Sequence, residues 1–246
     1  MVGLLRADGY RRVDGPEGAD FVLINTCGFI QTARDESLDT IREMLRLKEQ
    51  GKTGGLIVAG CLAERDREAL LTTCPGIDQL VGVFGREQIA RAAERMLNGK
   101  EPARSILPPA PEAALSDLDR ARITPRHVAY LKVSEGCDRG CSFCSIPAIR
   151  GRYTSKPIET VVAEAEGLAA EGVRELVVVA QDTTFYGIDL TGRPQLAALL
   201  RRLGEVEGLE WIRLMYLYPM HVTQELIDVV AAGHTVLPYL DLPLQH

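Results

Sequence analysis

The sequence has no apolar run long enough to cross a bilayer, where a spanning helix needs about 20 mostly apolar residues. Its start, Met1-Val2-Gly3-Leu4-Leu5-Arg6, is too short and too soon charged for a secretory signal. The chain is therefore read as cytoplasmic, with no membrane partner. It has no excess of basic charge. The net charge is -6, and the parts before and after residue 126 are both acid-rich, which argues against nucleic acid as a direct substrate. No second cysteine pair or Cys/His partner follows at zinc-finger spacing. An intact phosphate loop is missing too. Gly51-Lys52-Thr53 has Arg46 where the first glycine belongs, and the order around it is helix, loop, strand, the reverse of that motif.

What is present is thiol. The 246 residues have room for one large or two modest domains, and six of them are cysteines. In a reducing compartment such a number points to metal or chemistry rather than disulfides. Three of the six lie in Glu135-Gly136-Cys137-Asp138-Arg139-Gly140-Cys141-Ser142-Phe143-Cys144. Positions i, i+4 and i+7 would also share one face of a helix, as an ordinary buried stripe does. Gly136 and Gly140 oppose that, since each costs a helix interior about 1 kcal/mol relative to alanine, and Pro147 closes the segment. A compact metal-binding loop is the better reading. Thiolates are soft ligands suited to zinc, copper(I) or iron–sulfur clusters. A four-iron cluster on three cysteines keeps one iron without a protein ligand, open to a cofactor carrying an amine and a carboxylate. The alternative from another class is a non-catalytic iron–sulfur or zinc module.

Before this stretch, short apolar runs alternate with helical periodicity. Leu4 to Tyr10 reads as the tail of a helix, and Phe21-Val22-Leu23-Ile24-Asn25 and Leu56-Ile57-Val58-Ala59 as buried parallel strands. Helices are expected at 31–49, about 64–73 and about 86–98, with a short strand near Leu80–Phe84. The pattern predicts a doubly wound α/β domain over residues 1–99, in which ligands gather at the carboxyl ends of the strands. Cys27 and Cys61 both sit there, each just past a strand and beside a glycine. Each is either a metal ligand or a small buried hydrophobe. Cys74, before Pro75, reads as structural. Residues 100–125 are proline-bearing and aperiodic, and read as a linker.

Residues 126–246 open with a strand at His127–Val133, followed at once by the cysteine stretch. A helix at Pro157–Ala170, a strand at Val173–Ala180, a helix at Leu196–Leu203, a strand at Trp211–Leu217, a helix at Glu225–Ala232 and a strand at Tyr239–Leu244 complete the pattern. Four strands with three helices predict an incomplete (β/α) barrel, so the whole chain is of the α/β class. Barrel chemistry sits on the loops after the strands. Here those are the cysteine stretch, Gln181-Asp182-Thr183-Thr184, Tyr218-Pro219-Met220-His221 and Gln245-His246. Asp182 and Thr183 also read as turn or cap residues.

Tyr130-Leu131-Lys132-Val133-Ser134-Glu135-Gly136-Cys137, with Cys141, Cys144 and Ile146-Pro147-Ala148-Ile149-Arg150-Gly151, strongly resembles the methylthiotransferases of the radical S-adenosylmethionine superfamily. Gln181-Asp182-Thr183-Thr184-Phe185-Tyr186-Gly187, Trp211 to Pro219 and Tyr239 to His246 resemble the RimO branch rather than the tRNA-modifying MiaB branch, which stays as the alternative. Asn25-Thr26-Cys27-Gly28-Phe29-Ile30 and Gly60-Cys61-Leu62 resemble the family's first domain. The resemblance implies two four-iron clusters and S-adenosylmethionine. Cys137, Cys141 and Cys144 would hold the cluster whose open iron binds that cofactor, and its reductive cleavage would give a radical that takes hydrogen from an unactivated carbon. Cys27 and Cys61 would help hold an auxiliary cluster carrying the incoming sulfur. Gln181 and Asp182 are the candidates for contact with the cofactor, and no catalytic side chain is assigned.

The implied acceptor is the β-carbon of an aspartate on small-subunit ribosomal protein twelve, with an electron donor and a sulfur source as further partners. The family also has a third first-domain cysteine upstream of Met1, and beyond His246 the rest of the barrel and a TRAM domain. The resemblance therefore implies that this chain holds the radical cluster weakly and does not complete methylthiolation alone.

Overall fold

The computed structural model describes residues 1–99, 104–117, 120–122 and 124–243. They form two compact units, the first built from residues 1–99 and 104–110 with 120–121 and 140–150, the second from 111–117, 122, 124–139 and 151–243.

In the first unit, helix α1 (Val2–Ala7) precedes strand β1 (Phe21–Thr26), helix α2 (Gln31–Glu49) and strand β2 (Gly55–Gly60). Helices α3 (Cys61–Asp66) and α4 (Glu68–Thr73), strand β3 (Gln79–Val81), helix α5 (Ile89–Asn98) and strand β4 (Ser105–Ile106) follow. The four strands are parallel, in the order β1-β2-β3-β4. Strand side chains alternate between faces, so an apolar run can be buried on both. Leu56 and Val58 of β2 pack with Ile41 of α2 and Leu62 of α3, while Ile57 and Ala59 pack with Leu5 of α1 and Ile89 of α5. Helices thus cover both faces of the sheet, as expected. Each fully buried aliphatic side chain contributes roughly 1.5–3 kcal/mol.

Three local details differ from the sequence expectation. The helix expected at 64–73 is two, broken at Arg67, whose φ of 48° lies in the left-handed region. The strand expected at Leu80–Phe84 ends at Val81, and a 3-10 turn over Val83–Gln88 leads into α5. Strand β4 lies within the stretch read as a linker, where Leu80 N–H donates to Arg104 O at 2.7 Å and Gly82 N–H to Ile106 O at 2.9 Å.

The chain continues through β5 (Val128–Lys132), β6 (Ser134–Glu135), α6 (Ile146–Arg150, in the first unit), β7 (Thr154–Ser155) and α7 (Ile158–Ala170). Strand β8 (Glu175–Val179), helices α8 (Ile188–Thr191) and α9 (Leu196–Gly204), strand β9 (Trp211–Leu214) and helix α10 (Gln224–Ala232) complete it. The second unit's main sheet is parallel in the order β5-β8-β9, with helices packed on Leu131, Leu176, Val178, Ile212 and Leu214.

The strand expected at Tyr239–Leu244 is not a ladder strand among its described residues, 239–243. The pairing occurs earlier and in pieces. Val236 bridges Ile212 in parallel, Leu237 N–H donates to Ile212 O at 2.9 Å, and Leu217 N–H donates to Asp241 O at 2.9 Å. Pro238 interrupts it because proline has no N–H to give, and Tyr216 bends the β9 side with a φ of 59°. A fourth segment therefore runs beside β9, broken where the sequence reading made it continuous. Leu244 and the loop Gln245-His246 lie outside the described residues.

Part of the expected linker belongs to the second unit. Ser116 Oγ and Asp117 N–H donate to Glu164 Oε1 of α7 at 3.1 and 2.9 Å. The Lys156 ammonium, fully buried, lies 2.7 Å from Glu164 Oε2 and 3.0 Å from Asp117 Oδ2.

Candidate metal centre

The cysteine stretch leaves β6 and returns at β7, which pair antiparallel with Ser134 opposite Ser155 and Glu135 opposite Thr154. Gly136 makes the exit turn at a φ of +72°, and a Cβ there would overlap the Arg152 carbonyl oxygen. Glycine alone tolerates both conditions. Cys137 is buried, its N–H donating to Gly151 O at 3.2 Å and its Sγ facing the Arg139 N–H at 3.4 Å. Asp138 Oδ1 accepts from Tyr153 N–H at 2.9 Å.

The loops after β8 and β9 meet this segment. Asp182 is buried and caps a 3-10 turn, Thr183–Phe185, accepting from Phe185 N–H at 3.2 Å through Oδ1. Its Oδ2 accepts from Arg139 Nε at 2.8 Å and Nη2 at 2.6 Å. The guanidinium lies over the Tyr218 ring, 4.3 Å from its centroid, and its Nη1 is 3.3 Å from Met220 Sδ. Thr184 Oγ1 lies 2.7 Å from Asp182 Oδ1 and 2.9 Å from Tyr218 O, its one proton serving one of them at a time, and it accepts from Tyr218 N–H at 3.2 Å. Tyr153 donates its hydroxyl to Asp182 O at 2.9 Å. Burial, with the negative Asp182 and Asp189 nearby, pushes the Tyr153 phenol far above the usual tyrosine range, so it stays a neutral donor.

In the first unit, β1 and β2 end in register, Thr26 opposite Gly60, so Cys27 and Cys61 leave the same sheet edge. Gly60 turns directly into α3 at a φ of +99°. Gly28 approaches that helix so closely that a Cβ would lie 2.9 Å from Leu62 Cα. The Cys27 backbone is held by Ser37 of α2, whose Oγ accepts its N–H at 3.1 Å and lies 3.0 Å from its carbonyl oxygen. Arg65 Nη1 donates to Gly28 O at 2.7 Å. Residues 140–150 pack within this unit. Cys144 N–H donates to Cys141 O at 3.1 Å, the Ile146 N–H faces Cys144 Sγ at 3.5 Å, and Arg150 Nη2 of α6 lies 3.4 Å from Cys61 Sγ.

Comparison with known proteins matches two separate stretches of the chain. Residues 131–246 match the model of the radical SAM superfamily, and residues 1–82 match that of uncharacterized protein family UPF0004. The chain is 48% identical over 248 residues to the ribosomal protein uS12 methylthiotransferase RimO of Symbiobacterium thermophilum, aligning along all of this chain and 50% of that protein. It is 46% identical over 246 residues to the RimO of Moorella thermoacetica, along all of this chain and 56% of that protein. By sequence the chain is similar to RimO proteins along its whole length, and to the radical SAM superfamily over residues 131–246. It spans about half the length of the curated relatives it matches. Among solved structures, the radical S-adenosylmethionine methyltransferase TsrM of Kitasatospora setae shares the fold, with a TM-score of 0.59 and 19% identity over 95% of this chain and 49% of that one.

Cys137 belongs to the second unit and Cys27, Cys61, Cys141 and Cys144 to the first. Among the described residues no three His, Cys, Asp or Glu side chains are gathered as a metal-holding group. The fit to iron–sulfur ligation rests on donor chemistry. The stretch offers three thiols without histidine, and backbone N–H groups face two of the sulfurs. Gln181 is exposed, whereas both Asp182 oxygens are already engaged. Cys74 is packed in the first unit's core, as expected. The sequence reading named Tyr218 only as part of the loop after the third strand, and gave no role to Arg139, Tyr153 or Arg150. The one available signal was a charged residue placed between two candidate ligands, and nothing in the sequence joins it to an aspartate 43 positions away.

Proposed function

We propose that the chain is the cluster-bearing portion of a radical S-adenosylmethionine methylthiotransferase acting on the β-carbon of an aspartate of ribosomal protein uS12. The relatives' names motivate the substrate. The observation that carries the reading is the cysteine stretch that leaves β6, just past the first strand of a parallel sheet, and is tied through Arg139 to the loops after that sheet's second and third strands. In this reading the two compact units are the two domains, with β4 of the expected linker in the first and residues 111–117 in the second.

Cys137, Cys141 and Cys144 would hold one four-iron cluster, and Cys27 and Cys61, with one further ligand, a second. Bound there, the first cluster and S-adenosylmethionine supply the radical chemistry that an unactivated C–H bond requires. The side chains bind and orient. Gly136 sets the exit of the stretch, and Asp182 fixes the loop after β8. Neutral Tyr153 holds the Asp182 carbonyl, while exposed Gln181 offers an amide to the cofactor. An electron donor and a sulfur source complete the reaction, in the cytoplasm where ribosomal protein is available.

Mass spectrometry of uS12 from cells with and without the intact gene tests the reading, with a methylthio group on one aspartate expected only when the gene is present. Unchanged uS12 alongside lost tRNA methylthiolation would move the chain to the tRNA branch. A zinc-filled protein indifferent to S-adenosylmethionine would make it a structural module.

A further inference from the structure

We infer that Arg139 is a positioning residue for Cys137, so that the loops after β8 and β9 set the environment of the first cluster sulfur. The inference rests on the cluster reading above. Arg139 lies two residues past Cys137 and faces it with its backbone N–H at 3.4 Å from Sγ. Its side chain is fixed at the other end. Asp182 Oδ2 receives two N–H groups from it, at 2.8 and 2.6 Å, and Tyr218 stacks beneath it at 4.3 Å. Capping of the Thr183–Phe185 turn uses Asp182 Oδ1, so the cap does not account for what Oδ2 does. An exposed ion pair would add little to stability. In this pair the carboxylate is 4% exposed and the guanidinium 19%.

The consequence runs from packing to chemistry. A hydrogen bond to a ligating sulfur draws electron density from it and shifts the reduction potential of the cluster it holds. Such a bond is only as well defined as the backbone carrying its donor. Here the donor's own side chain is held by two separate loops, so a change at Asp182 or Tyr218 is expected to be felt at Cys137 without contact between them. Lysine would keep the charge but lose the planar group that takes Asp182 with two N–H donors and lies over the Tyr218 ring.

The test uses the whole chain, reconstituted with excess iron and sulfide under oxygen exclusion. Wild type is compared with Arg139→Lys, Arg139→Gln, Asp182→Asn and the exposed-surface control Arg201→Gln. Iron per chain, the midpoint potential, the EPR response to added S-adenosylmethionine and the thermal midpoint are read on each. At equal iron content, Arg139→Lys and Asp182→Asn are expected to need about tenfold more S-adenosylmethionine for the same EPR change, the lower end of the loss usual for an outer-shell partner. Their potentials are expected to move together, with Arg139→Gln at least as affected and Arg201→Gln unchanged. Variants that match wild type in potential and titration would overturn the inference. So would losses of iron that only track the loss of folded protein in every variant, because a merely structural role predicts that. A wild-type chain that binds iron but shows no response to S-adenosylmethionine would instead sink the cluster reading, and the inference with it.

Discussion

The ammonium of Lys156 and the carboxylate of Glu164 meet at 2.7 Å with both side chains sealed from solvent. Such a pair gives little net stability over an apolar substitute, but breaking it leaves an uncompensated buried charge. Asp117 Oδ2, 3.0 Å from Lys156, extends the pair to the segment that precedes the second unit's first strand. Lys156→Met is expected to destabilise the second unit by about 3–5 kcal/mol. It should also raise amide exchange over residues 111–117, whose attachment to α7 includes Ser116 and Asp117. The double variant Lys156→Met/Glu164→Leu should recover part of the loss. Urea unfolding with hydrogen-exchange mass spectrometry checks both, and a Lys156→Met protein as stable as wild type would refute the account.

Gly60 joins β2 to α3 at a φ of +99°, and a Cβ there would lie 2.7 Å from both Asn25 Oδ1 and the Thr26 carbonyl oxygen. Gly60→Ala therefore carries backbone strain of roughly 1–3 kcal/mol, plus displacement of the strand end that presents Cys27. Gly15 has neither constraint, with nothing within 4 Å of where a methyl group would sit and no positive φ. Gly15→Ala is expected to be neutral or to stabilise by up to about 1 kcal/mol through the unfolded chain. Thermal midpoints of the two variants decide the matter, and equal midpoints would contradict it.

The central strands β2 and β8 were legible because they are apolar runs buried on both faces, a signal that survives without knowledge of partners. Leu56 to Ala59 and Leu176 to Val179 fall inside observed strands for that reason. Broken or short pieces were not. Arg67 interrupts a helical pattern with a left-handed φ that no glycine advertises, and Ser105-Ile106 is too short for periodicity. At the candidate site the thiols and Asp182 were visible as residue types at strand ends. The Arg139–Asp182 tie was not, because an ion pair between two loops leaves no local spacing to read. Asp117 was hidden in the same way, as one acid in an aperiodic stretch whose partners lie on α7 and just before it.

The six thiols should not react alike. Cys74 is 4% exposed in the first unit's core, and burial pushes its thiol above the usual cysteine range, against a smaller opposing effect of Arg42. Cys27 is exposed. Since the thiolate is the nucleophile, metal-free folded protein treated with iodoacetamide at mild alkaline pH is expected to lose Cys27 first. Cys74 should be protected until denaturant is added. Peptide mass spectrometry over a time course reads the order, and early labelling of Cys74 would show that the core is open.

Glu64 gives a pH dependence of definite sign. It is buried on α3, where Oε2 accepts the Val83 N–H at 3.0 Å and Oε1 pairs with Arg67 at 2.9 Å. Burial raises its pKa, outweighing the lowering by Arg67 and by the Val83 hydrogen bond. The folded protein therefore holds this proton at a pH where the unfolded chain has released it. Stability must fall as pH rises between the unfolded and folded values. Glu64→Gln keeps an acceptor for Val83 and gives up a pair with Arg67, which is half exposed and so worth little. Relative to wild type, the glutamine variant is expected to gain stability from pH 4 to pH 7, read as increasing amide protection in peptides spanning 61–83. A wild-type protein that gains on the variant over that interval would mean that the ion pair, not the burial, governs Glu64.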